Sequence, residues 1–565
     1  MIKKLIASSL LLSTLLTAPA ALAEPFKSYL EAPVYNLDPL FLNTDASRQL
    51  GQLVHRGLVS FSPTIQPPKH GAFHQIIPAV AGKWDLAPDK KTYIFELDAN
   101  ARFHNGRQIT AADVKYSFER AANPNMHSPD YWAVERLNIK GLKRYQAACR
   151  AGIKEPHLLG VEVIDHHIVQ LHLEQGLPYA LELLALPVFS IVPAEDVERW
   201  WKDYRTHPVG AGPYKIDEIG PGKDLTLKRF DGYYESSYPR SETVRFEILP
   251  QPKEQFLAFT RRELDHAPLP GDYFNLVMND PVWNPVGETR MLQAEKVANL
   301  EETRVLKTPS WTTNSIHMDN QSFPFNELKV RQAFNYAVDK RYIIHHILQS
   351  YAQPVTGIFP PGFPGATRRE AAYEYNPELA RKLLFEAGWR DKDGDGDYEP
   401  WQNPHLDLTL YYQDNENSYL MCRKIQSDLA AIGVSLNIAP LKTYSSPHMQ
   451  PPALFHNTQS PEFIDPSQLF YPQFHSSQTR TNLSHYKNPR VDELVGYAED
   501  LTYEPRRYDL YQEAERLIMD DAPWIFLYHP VNYHMVQPRV NAFTYHPSLP
   551  FAYERYDVGI KTAGR

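Results

Sequence analysis

Residues 406–438 read LDLTLYYQDNENSYLMCRKIQSDLAAIGVSLNI, and this stretch decides the fold class. Leu406 to Tyr412 reads as a strand, Ser418 to Ala431 as a helix with Ile425, Leu429 and Ile432 turned inward, and Val434 to Ile438 as a second strand. Strand, helix and strand in this order form a βαβ unit, whose two strands are expected to be parallel and joined by a right-handed crossover. Just upstream, Asn376-Pro377 supplies an N-cap followed by a proline at the first helical position. Leu379, Leu383 and Leu384 repeat at helical spacing, and Gly388 stands where a terminating glycine belongs. Val330, Phe334, Ala337 and Val338 mark an earlier amphipathic helix, and Asp339 is read as the cap of another carrying Ile343, Ile344, Ile347 and Leu348. The later half is therefore α/β.

The first half begins differently. Thr92-Tyr93-Ile94-Phe95-Glu96-Leu97 alternates as a strand does, Asn105-Gly106 supplies a turn, and Thr110 with Asp113 resembles a capping box for a helix that buries Val114 and Phe118. Met1 to Ala23 reads as an export signal: Lys3 and Lys4 form its charged start, Leu5 to Leu16 its apolar stretch, and Ala21-Leu22-Ala23 its cleavage pattern. Glu24 is the expected mature N-terminus. With no cysteine after the cleavage pattern and no later apolar run of transmembrane length, the expectation is a soluble periplasmic protein without a lipid anchor or membrane insertion.

Removing the 23-residue signal from 565 residues leaves 542, too many for one hydrophobic core. Hydrophobic residues at 43% and charged residues at 22% exclude wholesale disorder. The formal charge of −9 argues against non-specific nucleic-acid binding. The two cysteines, Cys149 and Cys422, are too few for a disulfide scaffold or a zinc knuckle. There is no G-x-S-x-G elbow, H-E-x-x-H helix, phosphate-binding G-x-x-x-x-G-K-[ST] loop or dinucleotide-binding glycine run, so nothing marks an enzyme. Gly210-Ala211-Gly212-Pro213 has two glycines of a phosphate loop, but Pro213 removes an amide the anion would need, so it reads as a turn.

Asp391, Asp393 and Asp395, with Gly396, match the first half of a calcium loop. Gln402 stands where the bidentate glutamate belongs, leaving a weak calcium candidate beside the simpler reading of a solvated turn. No other cofactor is expected. The pairs His166-His167 and His345-His346 read as surface or packing residues, since adjacent side chains diverge. The 34 tyrosines suit a surface that accepts varied side chains, although most belong to the core.

Several blocks taken in order resemble the extracellular solute-binding proteins of family 5, the peptide-binding group that serves ABC transporters. They are Asn36-Leu37-Asp38-Pro39; Phe103-His104-Asn105-Gly106 running on through Ile109 to Phe118; Gly210 to Tyr214; Val330-Arg331-Gln332-Ala333; Ala337 to Lys340; Tyr375-Asn376-Pro377-Glu378; and Asp465-Pro466 with Leu469-Phe470. The resemblance implies a two-lobed binding-protein fold of the type II, cluster C-like kind, closing about a two-strand hinge. Lobe I, of two subdomains, would take 24–306 and the returning 525–565, and lobe II 307–524. The expected function is capture of a peptide or related amine-bearing solute and its delivery, by a monomer, to an inner-membrane ABC permease. A metal-chelate or haem receptor of the same family is the alternative, and an enzyme or chaperone reusing the fold is third.

The resemblance also implies site residues. Glu462 stands where family members that bind free peptides hold the peptide ammonium with an aspartate, and its side chain is about 1.5 Å longer. Gln459 replaces a tryptophan that stacks near the ligand, and Asp465 follows in the Asp-Pro pair. Tyr131 falls where oligopeptide binders present a tyrosine, and Trp311 lies at the entry to the first hinge strand. The arginine with which dipeptide binders hold the peptide carboxylate is missing from Gln413 to Asn417.

Overall fold

The expected βαβ unit is present in the computed structural model. It describes residues 24–61, 76–220, 224–235, 239, 241–279, 303–367, 373–391, 394, 398–400, 406–441, 453–461, 463–501, 504–540 and 543. Strand Thr409–Tyr412 pairs in parallel with Asn437–Pro440, register Thr409 to Asn437 through Tyr412 to Pro440. The connecting helix Glu416–Ala430 starts two residues earlier than its apolar pattern suggested, because the Asn415 carboxamide accepts from the Ser418 amide at 2.9 Å and fixes the first turn. Met421, Cys422, Ile425 and Leu429 form its buried face. The first strand is shorter than expected, and the second lies at Asn437–Pro440 rather than over Val434 to Ile438, although Leu408, Val434 and Leu436 beside them are still buried.

The sheet that contains this unit is mixed. Its order is His266–Pro268, Trp524–Val536, Thr313–Met318, Leu454–Gln459, Thr409–Tyr412, Asn437–Pro440. Trp524–Val536 carries the connection between the lobes. Its beginning pairs with Thr313–Met318 (Ile316 to Ile525, His317 to Trp524), and its end pairs with Arg304–Pro309 (Pro309 to Val531, Arg304 to Val536). The chain thus crosses twice, side by side, at 310–312 and at 528–531. Thr313–Met318 is buried along its whole length although Thr313, Asn314, Ser315 and His317 are polar, and Trp-Ile-Phe-Leu at 524–527 is buried too, which explains why that segment runs apolar without alternation.

The first half holds two further four-stranded sheets. One joins Phe26–Leu30, in parallel, to the antiparallel strands Thr243–Ile248, Leu225–Arg229 and Tyr214–Ile219; the other is antiparallel in the order Ala81–Leu86, Thr92–Leu97, Ile168–His172, Val161–Val163. Helix Ala111–Ala122 opens as predicted, with Asp113 accepting from the Thr110 amide at 2.9 Å, and Gly106 turns at φ +89°. Asp38 caps the turn at Pro39–Phe41 and forms a buried two-bond pair with Arg120 of that helix. Arg331 donates to the carbonyls of Phe325 and Asp521 at 2.8–3.0 Å. These blocks are scaffold.

Asp339 does cap a turn, accepting from the Tyr342 amide at 2.9 Å, but the helix expected beyond it is Lys340–Tyr342 followed by a wide π turn, Ile343–Ile347. Ile343 and Ile344 are buried, whereas Ile347 and Leu348 are only partly so. Gly210-Ala211-Gly212-Pro213 is a packing turn: the Gly212 amide donates to the Val54 carbonyl at 2.8 Å, and a Cβ on Gly210 would lie 2.0 Å from that oxygen. Cys149 and Cys422 are both free and buried, in separate clusters. Among the described residues, no helix is long and apolar enough to cross a membrane. The export signal lies outside the described residues.

Five histidines are locked in these cores. Burial lowers His55, His456 and His529 to about 4 and His104 and His317 to about 3, so all five are neutral at pH 7. His317 stacks on Trp524 with ring centroids 4.2 Å apart.

Two measurements check this account. Gly210→Ala is expected to destabilise the protein by about 2–3 kcal/mol in denaturant unfolding, because the new methyl meets backbone, while Gly82→Ala, whose Cβ has 3.7 Å of clearance, stays near wild type. A histidine depressed in the folded state contributes stability that is complete above its unfolded pKa and is lost as pH falls. The wild type should therefore lose more stability than His317→Phe between pH 6.5 and 4, by up to about 1.4 kcal/mol per pH unit.

Candidate functional site between the lobes

Helix Tyr131–Leu137 packs on helix Ala111–Ala122 in the first half of the chain, and it sends two side chains across to the second half. Trp132 and Arg136 are four residues apart and share one face. Trp132 stacks on Phe463 with centroids 6.5 Å apart and planes inclined by 14°. Tyr179 also stacks on Phe463, at 5.4 Å, so two aromatic rings of the first half hold the phenyl ring. Such pairs contribute about 0.5–1.5 kcal/mol each beyond their burial.

Arg136 donates to Glu499 Oε2 at 2.8 Å, and the Tyr179 hydroxyl donates to the same oxygen at 2.7 Å. Tyr511 donates to Oε1 at 3.2 Å. The Arg136 guanidinium also lies over the rings of Tyr179 and Tyr471, 5.2 and 5.7 Å from their centroids. Glu499 closes helix Pro489–Asp500, which packs against Ser467–Phe474 and Glu504–Asp521. Burial raises the Glu499 carboxyl above its ordinary value, with Arg136 and the Tyr179 hydroxyl pulling in the other direction. Burial together with Glu499 pushes the Tyr179 phenol well above its ordinary value, so the tyrosine is a donor throughout the working pH range.

Behind this contact, Asp465 receives two bonds from Arg507, at 2.7 and 2.9 Å, with both side chains almost fully buried. Burial works against the Arg507 charge, but Asp465 outweighs it and the guanidinium is held charged. Removing one partner of such a pair costs about 3–5 kcal/mol, since the other is left as an uncompensated buried charge. Asp465 also accepts from the Ser467 amide at 2.9 Å, capping the helix that follows. Its role here is to fix the segment that enters the cleft, and both its carboxylate oxygens face Arg507.

The neighbouring wall is the loop 355–367. The buried Glu515 carboxylate accepts from the amides of Ile358 at 2.5 Å and Thr367 at 3.0 Å, gathering the ends of the loop. Phe359 and Phe363 stack at 3.9 Å, and Trp311 meets Phe363 edge-on at 5.2 Å. Trp311 is thus a buried packing residue at the crossing.

Tyr131 points away from the face that crosses. Its hydroxyl donates to the Ala122 carbonyl and accepts from Gln146, both at 2.9 Å, which ties together helices of the first half. Gln459 ends strand Leu454–Gln459, paired with Thr313 and half-buried, at the start of the segment that leads to Phe463. Glu462 lies outside the described residues, as do Asp393 and Asp395. Asp391 is exposed and accepts from the Gly394 amide at 2.7 Å, an Asx turn. Among the described residues, no three His, Cys, Asp or Glu side chains form a group that could hold a metal ion.

The sequence reading brought Gln459 and Asp465 to this region and missed Trp132, Arg136, Tyr179, Phe463 and Glu499. The one signal available was local: a tryptophan and an arginine at helical spacing directly after Tyr131.

A glutathione-binding protein, GsiB of Salmonella typhimurium, is 24% identical over 528 residues, covering 91% of each chain. Heme-binding protein A of Haemophilus influenzae is 27% identical over 554 residues, covering 95% of this chain and 91% of its own. Among solved structures, the periplasmic murein tripeptide-binding protein MppA in its unliganded open form superposes with a TM-score of 0.75 at 21% identity, over 95% of this chain and 98% of the other, a likeness of fold. The model of bacterial extracellular solute-binding proteins, family 5 Middle, matches residues 75–481. Two lobes joined by a double crossing and a family match over most of the length agree: the chain belongs to the bacterial extracellular solute-binding proteins, family 5.

Proposed function

We propose that this chain is the periplasmic capture component of an ABC transporter, taking a peptide or related amine-bearing solute between its lobes and presenting it to an inner-membrane permease. Lobe I comprises 24–306 and 525–565 and lobe II 307–524, with the paired crossings at 310–312 and 528–531, a few residues beyond these bounds, as the hinge. The protein acts as a monomer and turns over no substrate. The observation that carries this reading is the segment from Gln459 to Asp465: it is anchored at one end by the Asp465–Arg507 pair and reaches the opposite lobe through Phe463. Glu462, immediately before Phe463 in the sequence, supplies a carboxylate suited to an ammonium group. The glutathione-binding and tripeptide-binding similarities support a ligand of peptide character.

A haem reading has one relative in its favour. The described histidines do not add to it: the five whose pKa burial lowers sit in packed interiors, His55 near His104 and His317 near His456.

The test is to purify the protein natively from the periplasm, release its bound solute and identify it by mass spectrometry. The expected result is a peptide or another primary amine; recovery of haem or a metal chelate would replace this reading with the second. With the identified solute, Glu462→Gln is expected to weaken binding in calorimetry by about 1.5–3 kcal/mol, roughly ten- to a hundred-fold, while leaving the unfolding transition in place. Unchanged affinity would remove Glu462 from the site.

A further inference from the structure

Trp132, Arg136 and Tyr179 of the first lobe meet Phe463, Tyr471 and Glu499 of the second, and every partner in this set belongs to the chain itself. The set has the chemistry of a closure. It combines an aromatic stack with a guanidinium and a phenol converging on one carboxylate oxygen, and that carboxylate draws a third donor, Tyr511, from its own lobe. The nearby charges balance, with Arg136 and Arg507 against Glu499 and Asp465. No net charge is therefore buried when the lobes meet, and no ligand charge is needed to neutralise the contact.

The position matters as much as the chemistry. Among the described residues, the chain passes between the lobes at two neighbouring crossings, 310–312 and 528–531. Rotation about that pair separates Arg136 and Tyr179 from Glu499 and withdraws Phe463 from the two rings in a single motion. The contacts therefore form or break together, as a two-state element requires.

We propose that this set is an interlobe latch: Arg136 and Tyr179 closing on Glu499, with Phe463 stacked on Trp132 and Tyr179, hold the lobes together without any solute. Closing also seats the segment that carries Phe463, so the latch positions one wall of the cleft. Solute affinity then depends on how often the latch opens to admit ligand and on how firmly it holds afterwards, which makes latch residues distant tuners of binding. The inference rests on the two-lobed fold and these contacts, and it is independent of which solute the cleft takes.

Small-angle scattering on the full mature protein tests it. Bound solute is first removed by reversible unfolding in guanidinium, so no ligand is used. Tyr179→Phe deletes one donor, and the double variant Arg136→Gln/Glu499→Gln removes the ion pair without leaving a lone buried charge. Arg490→Gln is the control; it lies on the same helix as Glu499 and pairs only with exposed Glu493 and Glu513 of its own lobe. Far-UV circular dichroism confirms folding of each.

Wild type and Arg490→Gln are expected to share one compact radius of gyration, with Tyr179→Phe expanded and the double variant expanded further. A wild type already as expanded as the double variant overturns the proposal, as does a folded double variant as compact as wild type. If the double variant does not fold, Tyr179→Phe decides alone, and a radius equal to wild type overturns the latch. Because no ligand enters the experiment, either result leaves the assigned transport role untouched.

Discussion

Everything in this molecule hangs on the pairing of one long strand with two others in succession. Trp524–Val536 gives its first residues to Thr313–Met318 and its last to Arg304–Pro309, so backbone hydrogen bonds hold the two crossings side by side. A single crossing would let the lobes swivel in all directions. Two crossings locked in one ladder leave a hinge, because bending across the ladder is far softer than breaking it. Burial of Thr313–Met318, of 524–529 and of 533–536 anchors that hinge in the cores on each side.

From that constraint follows the character of the cleft. Lobes with one rotational freedom must meet along one fixed line, and the chain places chemistry there that functions only when both halves are present. Glu499 receives bonds from both sides of the gap, and Phe463 needs walls from the other lobe. Asp465 with Arg507 and Glu515 with the amides of 355–367 do the quieter work of stiffening the second lobe's face, so that a short segment and a proline-rich loop present one shape.

The blocks that carry the family resemblance prove largely structural among the described residues. Asp38 serves a cap and Arg120, Arg331 serves helix and loop carbonyls, Gly210 and Gly212 permit close backbone approach, and Asp465 is bound to Arg507. A fingerprint of this kind identifies the scaffold firmly and says little about the solute, because the residues that repeat across such a family are those the hinge and the two lobes cannot do without.

The sequence by itself determined the local elements: the Thr110–Asp113 box, the Asn376-Pro377 helix start, the strand at Thr92–Leu97 and the parallel βαβ unit around Glu416–Ala430. Capping, periodicity and turn chemistry act within a few residues, so they can be read without a fold. The π turn after Tyr342 and the early start of the helix at Asn415 departed from periodicity alone; at Asn415 the side-chain cap chose the start. Only the tertiary structure decided that Trp132 and Arg136, not Tyr131, face the other lobe, and that Asp465 belongs to Arg507. The partners of Arg136 and Tyr179 lie 363 and 320 residues away along the chain, and no local rule couples positions so distant. Their meeting is fixed by where two crossings let two separately folded lobes touch.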